Sequence, residues 1–293
     1  MKKTAALMLV GTSSDAGKSF LTAVILRHYA KRGLKVAPFK AQNMSRLSYS
    51  LPDGRIMADS QRQQADAVGI RPRVEMNPIL LRPLGDRKSE LIVLGESQGQ
   101  YFARDYYAEK SRLRPLVLSA YESLARDSDL IVVEGAGSCA EINLLTGDYV
   151  NLGLARELEI PALLVADIER GGVFASIYGH YKILPAELGS LLHGFLINRF
   201  RGDVSILEAG IREIEEKLET PCLGVVPYIE AYLEAEDSLS ENYHRLPPDI
   251  QEKLQAPEER AAFYRREFER AAEAAEAAIR FELIDAIIDI DHL

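Results

Sequence analysis

The segment GTSSDAGKS, from Gly11 to Ser19, is the feature that most constrains the fold. It follows a short apolar run and precedes the amphipathic stretch FLTAVILRHYA, so a strand leads into it and a helix leaves it. In that setting backbone N–H groups cradle phosphate at a helix N-terminus, as in a Walker A loop. Five residues separate Gly11 from Gly17, one more than in the standard loop. The segment predicts a nucleotide-binding α/β fold.

Short apolar runs alternate with longer amphipathic stretches through the first 230 residues or so. This pattern is typical of parallel strands covered by helices. We predict a doubly wound, mostly parallel P-loop NTPase sheet followed by a C-terminal helical tail. The predicted strands span 5–10, 35–39, 130–134, 162–167, 194–198 and 222–226, and helices are predicted to begin near Lys18, Asp59, Tyr106, Val150, Gly171 and Ser205.

The sequence changes character after about residue 240. Residues 1–240 are predicted to form one P-loop domain, and residues 241–293 a linker and a helical tail of unassigned role. The segment ENYHRLPPDIQEKLQAPEE is polar and contains prolines, as linkers and lids do. Residues 257–280 are rich in Ala, Glu and Arg and favour a helix. The final FELIDAIIDIDHL is compatible with an edge strand, a docking segment or a frayed end.

Charge and cysteine content exclude several classes of function. The formal net charge of −9 argues against a nucleic-acid partner, because phosphate backbones are bound by clustered Lys and Arg. Cys139 and Cys222 lie far apart and outside metal-ligand spacing, which favours a reducing cytoplasm over a disulfide framework. The opening MKKTAALMLV is interpreted as a buried first strand rather than a signal peptide. No apolar run reaches membrane-spanning length, so we expect a cytoplasmic protein without membrane contact.

Four residues are predicted to act on phosphate and on Mg²⁺. Lys18 is placed to bind the β- and γ-phosphates of ATP, and Ser19 to offer its hydroxyl to Mg²⁺. Glu134, in DLIVVEGAG, is predicted to end a central strand and to bind the metal, the alternative being an acid that merely ends a strand. Asp59 is a metal ligand or, equally, the N-cap of the helix that begins there.

Further nucleotide contacts are predicted at strand ends. Lys40 ends the second strand in APFKAQN, where its ammonium can neutralise charge on the transferred phosphoryl group; a solvated surface lysine is the alternative. Asn198 closes GFLIN and is predicted to contact the adenine edge, with an ordinary turn asparagine as the alternative. Lys18, Lys40 and Glu134 are thus the predicted catalytic set. The remaining predicted nucleotide contacts are Gly11, Thr12, Asp15, Ala16, Gly17 and Pro227.

A series of longer motifs carries a family resemblance. In chain order they are GTSSDAGKS, FKAQNM, MNPILLRP, ARDYYAEK, VVEGAGSCAEINL, VADIERGGVFAS, GFLINRFRGD, GVVPY and AEDSL. Over roughly residues 5–240 the series resembles the synthetase domain of cobyric acid synthases, amidases of cobalamin biosynthesis, and the long P-loop is similar to that of dethiobiotin synthetases. The resemblance implies ATP- and Mg²⁺-dependent amidation of the side-chain carboxylates of adenosylcobyrinic acid a,c-diamide, through acyl phosphates, to give cobyric acid.

The resemblance also implies a corrinoid-binding side of the cleft. Its candidates are Gln42, Asn43, Asn143, Asp167, Arg170 and Arg199. Amide and guanidinium groups suit a macrocycle fringed with carboxylates and amides. For Arg170 an ion pair with Glu169 or Asp167 is the alternative.

The expected source of ammonia and the expected partners depend on the residues after Ser240, which the resemblance does not cover. Chains of this family continue into a glutaminase domain with a nucleophilic cysteine, whereas the 53 residues after Ser240 contain none. We therefore expect ammonia from solution or from a separate glutaminase subunit. The oligomeric state stays open, a homodimer included. Two alternatives remain, namely an ATP-dependent carboxylate ligase for another substrate and a nucleotide-switch binding or chaperone protein.

Overall fold

The computed structural model describes residues 4–85, 88–230 and 257–290. The predicted domain boundary after residue 240, most of the predicted linker and the AEDSL motif lie outside the described residues. Within the described ranges, no helix combines the length and apolar character that a bilayer crossing requires.

The strands are β1 (Ala5–Gly11), β2 (Val36–Phe39), β3 (Gln42–Met44), β4 (Ser48–Ser50), β5 (Ile56–Ala58), β6 (Ile79–Gly85), β7 (Lys88–Val93), β8 (Glu96–Phe102), β9 (Leu130–Ser138), β10 (Ala162–Asp167), β11 (Leu192–Phe200) and β12 (Cys222–Pro227). The helices are α1 (Lys18–Lys31), α2 (Asp59–Ala67), α3 (Ala103–Ala125), α4 (Leu152–Leu158), α5 (Val173–Ile183), α6 (Ala186–Gly189), α7 (Glu208–Leu218), α8 (Pro257–Glu276) and α9 (Phe281–Ile288).

The central sheet has the order β12-β11-β10-β1-β9-β2, and every neighbouring pair in it is parallel. Its strands lie where the sequence predicted them, with no end shifted by more than four residues. The largest shift is in β9, which runs on to Ser138, so Glu134 lies inside this strand and not at its end. The predicted doubly wound, mostly parallel architecture is confirmed.

Helices cover both faces of this sheet. Along β1, Met8 and Val10 point to the face covered by α3, α4 and α5, whereas Leu7 and Leu9 point to the face covered by α1 and the C-terminal helices. Successive side chains of a strand point to opposite faces, so a strand buried on both faces is continuously apolar. Each fully buried Leu contributes about 2 kcal/mol. The core therefore anchors the strand that leads into GTSSDAGKS.

A second, four-stranded sheet of order β3-β6-β7-β8 lies beside the end of β2, and β4 pairs with β5 in a hairpin. The sequence analysis did not predict these strands. Among them, β8 gives a weak signal because it is polar and almost entirely exposed. This sheet begins at Gln42, two residues after Lys40, and Lys40 N–H donates to Met76 O at 2.8 Å. It therefore carries the FKAQNM motif next to the carboxyl edge of the central sheet.

The C-terminal helices complete the face that α1 covers. Phe281, Ile284 and Ile288 of α9 are buried with Leu7 and Leu9 of β1. The stretch FELIDAII is thus a docked helix, and the edge strand left open above is wrong. At Gly224 of β12 an added Cβ would lie 2.2 Å from Ala278 O, so only glycine allows this approach.

Arg27 of α1 joins α8 through three acidic side chains. Its side chain is 4% exposed, and it donates to Glu269 and, at 2.6 Å, to Glu276, with Glu273 at 3.5 Å. Burial opposes the charge of Arg27, but the hydrogen bonds that it donates to Glu269 and Glu276 outweigh this effect, and its pKa is raised. A buried cation with these partners ties α8 to α1.

We expect Arg27→Ala to lower the free energy of unfolding by about 3 kcal/mol, because it removes a buried cation that is the main hydrogen-bond partner of Glu269 and Glu276. Denaturant unfolding followed by circular dichroism measures the change. The matched control is Arg114→Ala, whose guanidinium is 56% exposed and lies 2.7 Å from Glu157. That exposed pair should be worth about 1 kcal/mol or less. Equal losses in the two variants would contradict the role of Arg27 in tying α8 to α1.

Candidate active site

The phosphate-binding loop joins β1 to α1. Gly17 is the N-cap of α1 and has φ 89° and ψ 24°, a left-handed conformation that favours glycine. An added Cβ at Gly17 would lie 2.1 Å from Asn198 Nδ2, and that buried amide donates to Ala16 O at 2.9 Å. Asn198 therefore braces the loop from the end of β11. The alternative of an ordinary turn asparagine is wrong, because Asn198 lies within a strand and is buried.

Other loop residues differ in what they offer a ligand. Thr12 N–H donates to Val165 O at 3.0 Å, so the hydrogen-bond donor that Thr12 can offer to a phosphate is its side-chain hydroxyl. The Ala16 side chain is buried in the core, which leaves its backbone for such a contact. The Asp15 carboxylate lies 3.8 Å from the Arg170 guanidinium. Gly11 closes β1, and a Cβ there would lie 2.7 Å from Lys18 Nζ.

Lys18 is folded back over this loop. Its ammonium donates to Ser13 O at 2.7 Å, to Gly137 O at 3.0 Å and to Ser14 O at 3.2 Å. Burial, together with repulsion from the Lys40 ammonium, lowers the pKa of Lys18 to about 8. A bound phosphate would replace these carbonyl oxygens, which carry only partial negative charge, with fully charged oxygens. Lys18 would therefore interact more strongly with a phosphate than with the carbonyls of the loop.

Glu134 is the centre of a polar cluster under the loop. Its side chain is 1% exposed; Oε1 accepts from Ser19 Oγ and from Lys40 Nζ, both at 2.6 Å, and Oε2 accepts from Gln64 Nε2 at 2.7 Å. Burial alone would raise the pKa of this carboxyl, but the Lys40 charge and these hydrogen bonds outweigh it, and the pKa is lowered. Lys40 is 12% exposed, so the alternative of a solvated surface lysine is wrong.

The donor set fits Mg²⁺. Ser19 and Glu134 bring a hydroxyl and a carboxylate within 2.6 Å, and Mg²⁺ takes such hard oxygens together with phosphate oxygens and water. In the structure the Lys40 ammonium supplies the positive charge beside Glu134. Among the described residues, no group of three or more His, Cys, Asp and Glu side chains is arranged to hold a metal.

The Asp59 carboxylate accepts hydrogen bonds from side chains of its own helix, α2. Arg62 donates to both of its carboxylate oxygens, at 2.8 and 3.1 Å, and Gln63 donates to Oδ2 at 2.8 Å. The N-cap of α2 is Ala58, so the capping alternative for Asp59 is wrong. The residue of α2 that reaches the Glu134 cluster is Gln64, which the sequence analysis missed because no motif marks it within QRQQ.

Gln42 and Asn43, predicted to face the substrate, differ in accessibility. Gln42 Oε1 accepts from Tyr106 and, at 2.8 Å, from Tyr149, and the two tyrosine hydroxyls contact each other. Asn43 is buried and donates to Ser60 Oγ at 2.8 Å and to Gln61 Oε1 at 3.1 Å, which ties β3 to α2. Gln42 is half-buried and is the more accessible of the two.

The other predicted substrate residues surround the loop. Arg199 has φ 63° and its guanidinium donates to Asp167 Oδ2 at 2.9 Å. Arg170 is 72% exposed and faces Asp15 across the loop. The alternative pairing of Arg170 with Glu169 or Asp167 is wrong, since Glu169 pairs with Arg201 and Asp167 with Arg199. Asn143 is exposed on a short 3-10 helix, Ile142–Leu144.

Pro227 is exposed at the end of β12, beside a pair that the sequence analysis missed. The guanidinium carbon of Arg201 lies 3.2 Å from the centroid of the Tyr228 ring. Tyr228 N–H also donates to Phe200 O at 2.7 Å. Both residues are near the end of β11 that carries Asn198, but Arg and Tyr in separate motifs give no sequence signal of stacking.

One protein-family model matches most of this chain. The model of the CbiA family, described as the CobQ/CobB/MinD/ParA nucleotide binding domain, matches residues 7–241. The chain belongs to the CbiA family. Its P-loop, parallel sheet and nucleotide-binding character are those of that domain.

Within the CbiA family, the chain is similar to proteins named cobyric acid synthase. Cobyric acid synthase of Ruminiclostridium cellulolyticum is 46% identical over 242 residues, which are 83% of this chain and 47% of the relative. That of Citrobacter koseri is 48% identical over 237 residues, 81% of this chain and 47% of the relative. The predicted resemblance to cobyric acid synthases is confirmed. The chain spans about half the length of the curated relatives it matches.

Two solved structures align with most of this chain at low sequence identity. The signal recognition particle receptor FtsY of Elizabethkingia anophelis aligns with a TM-score of 0.45 and 13% identity, over 77% of this chain and 59% of that chain. The MinD cell division protein of Aquifex aeolicus aligns with a TM-score of 0.43 and 15% identity, over 77% of this chain and 83% of that chain.

Proposed function

We propose that this chain is an ATP-dependent amide ligase that converts side-chain carboxylates of a corrinoid, adenosylcobyrinic acid a,c-diamide, into the amides of cobyric acid. The observation that carries the proposal is the convergence of Lys18, Lys40, Ser19 and Glu134 at one phosphate-binding loop. The substrate class is supported by relatives named cobyric acid synthase. Their matched regions cover 83% and 81% of this chain.

The chemistry needs activation of a poor acyl donor. Transfer of the γ-phosphoryl group of ATP to a carboxylate gives an acyl phosphate, whose phosphate is a good leaving group for attack by ammonia. Phosphoryl transfer depends mainly on positioning and charge neutralisation. Lys18 and the loop N–H groups hold the triphosphate, and Lys40 approaches from β2 to neutralise charge on the group in transfer. Mg²⁺ held by Ser19 and Glu134 would supply further charge neutralisation at the phosphates.

The acceptor carboxylate is proposed to bind to Gln42, Asn143, Arg170 and Arg199. Arg170 is exposed enough to pair with a substrate carboxylate, and Gln42 is held by Tyr106 and Tyr149 so that its amide N–H₂ group stays available to an acceptor.

The test is mass spectrometry of the corrinoid after incubation with the purified chain, ATP, Mg²⁺ and ammonium. Each carboxylate that is converted replaces OH by NH₂, and ADP and phosphate are released only when corrinoid and ammonium are both present. A nucleotide switch would instead hydrolyse ATP slowly without either substrate. A ligase for another substrate would leave this corrinoid unchanged. Either of these results would refute the proposal.

Nucleotide binding should depend on pH through Lys18, whose pKa is about 8 before ligand binds. Triphosphate favours the charged amine and therefore raises this pKa. As pH rises through about 8, a growing fraction of the free protein has a neutral Lys18, so ATP affinity falls and binding takes up protons. Calorimetry in two buffers of different ionisation enthalpy measures the uptake. The variant Lys18→Arg, which stays charged, should show none; the same uptake in both proteins would contradict the assignment.

A further inference from the structure

Ser138 and His180 form a hydrogen-bonded pair beside the phosphate-binding loop. Ser138 ends β9 and His180 lies in α5; His180 Nε2 is 2.9 Å from Ser138 Oγ, and Nδ1 is 2.7 Å from Ser176 O. A carbonyl oxygen only accepts, so Nδ1 carries the ring proton of a neutral imidazole. In that tautomer the lone pair on Nε2 accepts a hydrogen bond from the Ser138 hydroxyl. Ala140 N–H donates to the same hydroxyl oxygen at 3.2 Å and fixes its orientation.

The pair lies at the end of the loop where the terminal phosphate is expected. Ser138 is the sheet partner of Gly11, the first residue of GTSSDAGKS. Its neighbour Gly137 accepts from Lys18 Nζ at 3.0 Å, and Cys139 N–H donates to Gly11 O at 3.1 Å. Ser138 and His180 are both half-buried, so small molecules and solvent can reach them. The phosphate chemistry described above does not use either side chain.

We propose that Ser138 and His180 form a proton relay that converts ammonium into the attacking ammonia. This inference rests on the proposed amide ligase function. An ammonium ion has no lone pair, so it must lose a proton before its nitrogen can attack an acyl phosphate. Ser138 Oγ takes that proton while its own hydroxyl proton passes to His180 Nε2. Imidazole is the side chain that most often acts as a general base in enzymes, and His180 then releases the proton to solvent.

The remaining bonds balance without another reactant. The lone pair of ammonia forms the C–N bond to the acyl carbon, and the C–O bond to phosphate breaks. Phosphate leaves with a second proton from nitrogen, which gives the neutral amide. Ser138 is thus the group that contacts the nucleophile, and His180 acts through it.

Hydroxylamine separates this role from a structural one. It is neutral near pH 7 and attacks acyl phosphates without prior loss of a proton, giving a hydroxamate. The informative variant is His180→Gln, because a glutamine oxygen can accept the Ser138 hydrogen bond but cannot carry the proton. Ser138→Ala removes the relay entirely. Ser176→Ala is the matched control, since the contact from Ser176 to His180 is its backbone carbonyl.

In His180→Gln and Ser138→Ala we expect amide formation from ammonium to fall at least about tenfold, with hydroxamate formation within about threefold of wild type. Equal falls with both nucleophiles, or no fall with ammonium, would overturn the relay and leave the ligase function standing. Absence of both amide and hydroxamate from the wild-type chain would overturn the ligase function itself. Thermal unfolding of each variant checks that the fold is retained.

Discussion

Lys18→Ala is expected to lower corrinoid-dependent release of ADP by about 1000-fold. The Lys18 ammonium is buried against the carbonyl oxygens of Ser13, Ser14 and Gly137, at the point where β1 enters α1. It is therefore preorganised to meet a phosphate, and alanine supplies neither charge nor donor. The measurement is steady-state ADP release with saturating corrinoid and ammonium, together with ATP affinity.

The matched control for this prediction is Lys217→Ala. Lys217 is 53% exposed on α7 and pairs with Glu213, so the substitution removes the same charge far from the loop. Activity should stay within about twofold of wild type. If Lys18→Ala retained corrinoid amidation, the assignment of the phosphate site would be wrong.

Glu134→Gln is expected to lower Mg²⁺-dependent turnover by about 100-fold while ATP affinity measured without Mg²⁺ changes by about threefold or less. Glutamine keeps the shape of the side chain but removes the negative charge that faces Ser19 and Lys40. Mg²⁺ affinity in the presence of ATP should fall with turnover, because a neutral amide is a weaker ligand for a hard cation.

The control here is Glu157→Gln on α4, whose carboxylate pairs with the exposed Arg114. It should leave turnover and Mg²⁺ affinity unchanged. A fall in nucleotide binding as large as the fall in turnover would show that Glu134 shapes the loop through Ser19 and does not serve a metal. Unfolding measurements on Glu134→Gln accompany the turnover and binding measurements, because Lys40 loses its buried partner in this variant.

Local patterns were enough to predict the central sheet and the phosphate loop. Strand β1 is apolar on both faces and runs directly into GTSSDAGKS, so the loop, its glycines and α1 follow from adjacent residues. The four-stranded sheet that carries Gln42 was missed, because β8 is polar and exposed and lacks the alternation that marks a strand. In α9 the buried Phe281, Ile284 and Ile288 do have helical spacing, which the alternating acids obscured.

The sequence by itself determined the family, the doubly wound fold and the residues of the phosphate loop, since these depend on neighbours along the chain. Only the tertiary structure decided which side chains meet. Gln64 reaches Glu134 from 70 positions away, His180 reaches Ser138 from 42, and Arg27 reaches Glu276 from 249. Such contacts are set by how strands and helices pack around a common core, and no local spacing encodes that packing.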